Sequence, residues 1–155
     1  MIVLGIDPGT SRLGWAIVEK KKEERIIAFD CFFSQSKDLA SKLKEIDDFL
    51  EEVFRKYKPN LLALEKVFYG RNQKTVIQIA KLLGIVILKA KKKNLEIIEI
   101  SPNEVKKAIT GWGLSQKREI KNALFQIFPY LKEEKKNDDA YDALATALVA
   151  CRLIR

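Results

Sequence analysis

The chain has 155 residues, 47% hydrophobic and 32% charged, and its 29 Lys and Arg against 21 Asp and Glu leave a net charge of +8. That length predicts a single compact domain over residues 1–155, and the lack of any long uncharged apolar run argues against a membrane span or wholesale disorder. There is no histidine, which excludes His-based general base chemistry, His-ligated zinc and any Ser-His or Cys-His nucleophile pair.

Taken in chain order, Ile2 to Asp7 is an almost wholly apolar run closed by Pro8-Gly9, the pattern of a strand buried on both faces. The opening MIVLGIDPGT has no basic stretch and carries an acid within its apolar run, which reads as cytoplasmic rather than secreted. Leu13 to Glu19 and Arg25 to Phe33, joined by a charged turn, complete a three-stranded antiparallel meander. Leu39, Leu43, Ile46, Leu50, Val53 and Phe54 recur at helical spacing until Pro59. Leu61 to Glu65 is another buried strand. Asn72 to Lys92 is a long helix whose apolar positions cover most of its circumference, so it needs more than one packing surface, such as a second subunit.

Leu95 to Ile100 supplies a fifth strand, and Ser101-Pro102-Asn103-Glu104 opens a short helix to Ile109 with a capping box. After the loop Thr110-Gly111-Trp112-Gly113, a helix is expected from Ser115 to Phe128, then a Lys- and Glu-rich connector. The last helix starts near Asn137, a good N-cap residue. Three antiparallel strands followed by alternating helix and strand predict a mixed α/β sheet with helices on its faces. Cys31 and Cys151 are too few and too isolated for a disulfide framework or a zinc site and read as small core residues.

The basic excess clusters at Lys20 to Lys22, Lys89 to Lys93, Lys106 with Lys107, and Lys117 with Arg118. A polyanionic partner explains it, and so do lysines that merely solvate surface helices. The acids are more specific. At about 100° per residue, Asp138, Asp139 and Asp142 share one arc of the last helix, and that arc continues through Ala145, Thr146 and Val149, which points all three into a cleft. Stabilisation of a helix N-terminus accounts for Asp138 and Asp139 equally well, but not for Asp142.

Asp7 and Glu65 each end an apolar strand at its carboxyl end, where sites form in open α/β sheets. A turn before Pro-Gly is the alternative for Asp7, and pairing with Lys66 the alternative for Glu65. Carboxylates that converge without histidine cannot all stay ionised, and a divalent cation resolves the conflict. All-oxygen ligands select Mg²⁺ or Mn²⁺, and two such ions about 3.5 to 4 Å apart clamp a phosphodiester for in-line hydrolysis. The basic clusters would then hold the nucleic acid.

The segments GIDPGTSRLGWA, LALEKVFYGRN, VKKAITGWGLSQK and DDAYDALATAL, in this order and across essentially the whole chain, resemble the RuvC family of Holliday-junction resolvases. The resemblance implies an RNase H-like fold with a five-stranded mixed sheet, three strands antiparallel and two parallel. It implies a homodimer that makes paired symmetric nicks in four-way junction DNA during recombination and repair, alongside branch-migration proteins of the RuvA and RuvB families. It assigns Asp7, Glu65, Asp139 and Asp142 to two Mg²⁺ per subunit, with Mn²⁺ able to substitute, and makes Asp138 auxiliary. Lys117 takes a catalytic role in charge stabilisation near the scissile phosphate, and Lys106 lies close by. Phe68, with Tyr69, matches an aromatic that stacks on a base, unless it is a core residue. Arg71, Lys74, Lys107 and Arg118 complete the expected DNA contacts. Trp112 stands where a smaller apolar residue is expected, and its ring either stacks on DNA or fills its loop.

Other readings survive at this point. Small RNase H-like relatives that process ribosomal RNA share an Asp, Glu, Asp pattern but lack the GWGLSQK region. GIDPGTS also resembles the first phosphate loop of actin-like and sugar-kinase ATPases, although nothing supplies their second domain or second phosphate loop. A non-catalytic junction scaffold is disfavoured because metal-free carboxylates would repel DNA.

Overall fold

The computed structural model describes residues 1–67 and 73–154. Strand β1 (Ile2–Pro8) pairs antiparallel with β2 (Arg12–Lys20), and β2 with β3 (Glu24–Phe33). On its other side β1 pairs in parallel with β4 (Leu61–Glu65), which in turn pairs in parallel with β5 (Glu96–Ile100). The sheet order is β3-β2-β1-β4-β5, the mixed RNase H-like arrangement expected from the sequence.

Side chains alternate faces along a strand, and this sheet uses the alternation to build two cores. Leu4, Ile6, Leu62 and Leu64 pack with Leu50 of helix α1 (Leu39–Tyr57) and Leu82 of α2 (Gln73–Lys92). Val3, Ala16, Leu61 and Ala63 point the other way, into a core with Val105 of α3 (Pro102–Thr110), Leu124 of α4 (Lys117–Ile127) and most of α5 (Asp138–Leu153). Counting by twos, Asp7 follows Val3 and Gly5, and Glu65 follows Leu61 and Ala63. Both acids therefore fall on the α5 side of the sheet.

Helix α5 is buried at every position from Asp139 to Cys151. It lies close to the strands because the contacting residues are small. A Cβ built on Gly5 would stand 2.3 Å from the carbonyl oxygen of Ala143, and one on Gly14 would stand 2.0 Å from that of Asp139. No side chain fits at either place.

Local signals set most element ends. Asp38 caps α1 by accepting from the Ser41 N–H, and Lys58 in the left-handed region (φ 47°) ends the helix before Pro59. The capping box of α3 is present, with Ser101 and Glu104 each bonding the other's backbone N–H. Three expectations need correction. Helix α4 starts at Lys117 rather than Ser115, because Ser115 turns inward to bond the Trp112 carbonyl. Part of the charged connector is a 3-10 turn, Pro129–Glu133, anchored by the fully buried Leu131. Asn137 occupies the N-cap position of α5, but its side chain makes no capping bond.

Candidate active site

Asp7 stands opposite Gly14 in the β1–β2 ladder, and α5 rests its Asp139 backbone on that glycine. This contact brings the acids of the last helix onto the end of the first strand. Asp142 follows one turn later on the same side of α5. As a result, carboxylate oxygens of Asp7, Asp139 and Asp142 all lie within 4.8 Å of one another. Asp139 and Asp142 are buried, at 9% and 8% exposure.

Glu65 is close but is not one of that tight trio. Parallel pairing sets Ile6 beside Leu64, so Asp7 and Glu65 are the next residues of adjacent strands. Both line a cleft of about 150 Å³ together with Asp142, Lys106 and Lys117. Glu65 makes no ion pair with Lys66 among the described residues, and Lys66 instead donates its backbone N–H to Ile100.

Asp138 does not point into the cleft. Its side chain is 66% exposed and reaches Lys121 at 3.4 Å, so the shared-arc expectation fails for this residue. The wheel could not orient the acids, because α5 has no broad polar face to serve as a reference. Asp138 keeps the role of a first-turn acid that favours the helix N-terminus.

Two cations enter the cluster. Lys117 Nζ lies 2.5 Å from Asp142 Oδ2 and 3.7 Å from Asp139 Oδ1. Lysine at the first position of a helix opposes the helix dipole, and the acids compensate for that placement. Arg12 pairs through Nε with Asp139. The sequence reading missed Arg12, yet the signal was available: it precedes Gly14 by two residues, so alternation puts it on the α5 side beside Asp7.

The electrostatics follow from this crowding. Burial, then the charge of Asp142, pushes the Asp7 carboxyl up to about 8, with Asp139 and Glu65 adding to the shift and Lys117 opposing it. Burial and Asp142 also raise Glu65, against Lys117 and Lys106. Burial raises Asp142 while its bond to Lys117 pulls the other way. Partial burial works against the charge on Lys117, but the bond to Asp142 and the surrounding acids raise its pKa overall.

Among the remaining expected DNA contacts, Lys106 lines the cleft, while Lys107, Arg118 and Lys74 are exposed on the first or last turns of their helices. Phe68, Tyr69 and Arg71 lie outside the described residues. Cys151 is buried as expected, while Cys31 is only half-buried.

A trio of carboxylates, two buried and Asp7 partly so, with no nitrogen or sulfur donor among them suits a hard divalent cation bound through oxygen. A site of this chemistry at the carboxyl end of a central strand makes the wider relationships of the chain decisive. The family model described as crossover junction endodeoxyribonuclease RuvC matches residues 3–150.

The chain belongs to the RuvC family.

RuvC of Fusobacterium nucleatum subsp. nucleatum is 38% identical over 150 residues, covering 96% of this chain and 78% of that protein. RuvC of Petrotoga mobilis is 36% identical over 149 residues, covering 95% and 91%. The solved structure of T. thermophilus RuvC in complex with Holliday junction substrate matches with a TM-score of 0.85 at 25% identity, over 99% of this chain and 95% of that one. The resemblance read from the four sequence segments thus holds over residues 3–150 of this chain.

Proposed function

We propose that this chain is a structure-specific endonuclease that resolves four-way DNA junctions by paired, symmetric phosphodiester hydrolysis in recombination and repair. The observation that carries the reading is the convergence of Asp7, Asp139 and Asp142 with Lys117 at their edge, in a chain of the RuvC family. The junction bound to the T. thermophilus relative supports the choice of substrate.

Asp7, Asp139 and Asp142 would hold divalent metal, with Glu65 completing the set from the neighbouring strand. Mg²⁺ fits these hard oxygen donors and Mn²⁺ would substitute. When bound, two such ions supply an activated water and stabilise the departing 3′-oxygen. The chain's own contribution is position and field. β1 and β4 fix Asp7 and Glu65 side by side, and α5 delivers Asp139 and Asp142 onto them. Lys117 would move from Asp142 to the phosphate, where charge develops during hydrolysis. Lys106 lines the same cleft and would steady the backbone of the strand being cut.

Helix α2 keeps Ile77 and Leu88 each 55% exposed on its outer side. Eleven residues apart, they fall on nearly one line along the helix. A homodimer that covers this line would set two sites on one junction, as paired nicking requires, and branch-migration proteins of the RuvA and RuvB families would deliver the substrate.

Purified protein with Mg²⁺ should nick a synthetic four-way junction at symmetry-related positions. Asp7→Asn should bind the junction without cutting it. Cutting that persists in this variant, or that favours structured RNA over the junction, would reject the reading.

A further inference from the structure

The loop from Gly111 to Gln116, between α3 and α4, is closely bonded yet presents its largest apolar side chains to solvent. Trp112 is 61% exposed and Leu114 71%. The backbone beneath them is well held. Gly111, at φ 85°, donates its N–H to Lys107. The Trp112 N–H donates to Thr110 Oγ1 at 3.2 Å, and the Trp112 carbonyl accepts from the Ser115 hydroxyl at 2.6 Å. The residue that fills the inside of the loop is Ser115, at 2% exposure. The indole therefore does not pack the loop, which leaves the other alternative open from the sequence.

The charges on either side indicate what covers it. Lys106 and Lys107 lie four and three residues before the end of α3 at Thr110, and Lys117 and Arg118 begin α4 just after the loop. Lys106 and Lys117 both line the cleft with Asp7 and Asp142. An aromatic face between two cation pairs matches a nucleic acid, in which phosphates meet the cations and an unstacked base meets the ring. A second copy of this loop would oppose the same four positive charges, which disfavours self-association there.

We propose that Trp112, backed by Leu114, is a stacking platform for a base that leaves the duplex stack next to the phosphate being cut. This rests on the junction-nuclease reading and adds a contact contributed by this chain's own Trp112.

The test uses the full chain carrying Asp7→Asn, so that DNA is bound and not cut. Junction affinity is measured for this protein and for versions that also carry Trp112→Ala or Trp112→Phe, each checked for folding by circular dichroism. Quenching by iodide reports on Trp112, since the other tryptophan, Trp15, is half-buried against Phe49 and Tyr57. Loss of one stacked base should weaken binding about tenfold to a hundredfold in the alanine version, with the phenylalanine version within about threefold of its parent. Junction DNA should also shield Trp112 from iodide. Equal affinity of the alanine version together with undiminished quenching would overturn the stacking role while leaving junction binding intact. Failure of the Asp7→Asn parent to bind any junction would instead reject the underlying reading, and this inference with it. A change in sedimentation on Trp112→Ala at unchanged DNA affinity would assign the loop to a second copy and overturn the proposal as well.

Discussion

The carbonyl oxygen of Asp139 lies 2.0 Å from where a Cβ on Gly14 would stand. The blocking atom is backbone, so a side chain at position 14 must push α5 off the sheet and carry Asp139 and Asp142 away from Asp7. Gly14→Ala is expected to cost about 1–3 kcal/mol of stability, as overpacked cores do. Because a displacement near 1 Å is enough to spoil a catalytic arrangement, junction cleavage should fall about a hundredfold in protein that is still folded. Thermal unfolding and cleavage, measured below both melting temperatures, check the two effects separately. Normal cleavage in this variant would mean that the acids do not depend on the seat of α5.

Asp7 gives the metal-free protein a pH signature. Its carboxyl titrates at about 8 in the folded chain against an ordinary 3.8. Between those values the folded state holds a proton that the unfolded state has released, so stability falls as pH rises through the window. Glu65 and Asp142 shift in the same direction and act with the same sign. The melting temperature of chelated protein should therefore drop from roughly pH 5 to pH 8, and Asp7→Asn should flatten much of that slope. Added Mg²⁺ should raise the melting temperature most at the alkaline end, since metal competes with protons for the same oxygens. A chelated protein equally stable across the range would contradict the convergence of the acids.

Lys117 separates catalysis from stability. Its side chain is 62% exposed, and once metal neutralises the buried Asp139 and Asp142 its ion pairs contribute little to folding, about 0–1 kcal/mol for exposed contacts. Its proposed work on developing phosphate charge is much larger. Lys117→Ala should lower single-turnover cleavage about 10²- to 10³-fold, the usual loss for a group that stabilises transition-state charge, while the melting temperature measured in Mg²⁺ hardly moves. A large stability loss with modest loss of cleavage would recast Lys117 as a structural counterion to Asp142.

The outer side of α2 predicts an oligomeric state. If Ile77 and Leu88 meet a second copy, Leu88→Glu buries a charge in that contact and should convert a dimer to monomers by sedimentation. Paired nicking should then become uncoupled into single nicks. An unchanged mass would remove this side of α2 from the interface.

Strand β4, predicted over Leu61 to Glu65, has those same ends, and the capping box at Ser101 opens α3 as read. Such features depend on residues one to four positions apart, which a single sequence displays directly. The same holds for Asp7 and Glu65, each marked by the apolar strand it ends, and for Asp142, which lies beyond the reach of any helix-capping explanation. The direction in which α5 faces is of another kind. Nothing within that helix distinguishes the exposed Asp138 from the buried Asp139. The choice comes from Gly5 and Gly14, more than a hundred residues away, whose missing side chains let the helix seat in one rotation. Arg12 and Lys117 likewise become partners of the acids only once that seating has occurred. Local pattern thus determined which residues could act, and close packing between distant segments decided which of them meet, because a carboxylate's pKa and its fitness for metal depend on neighbours in space.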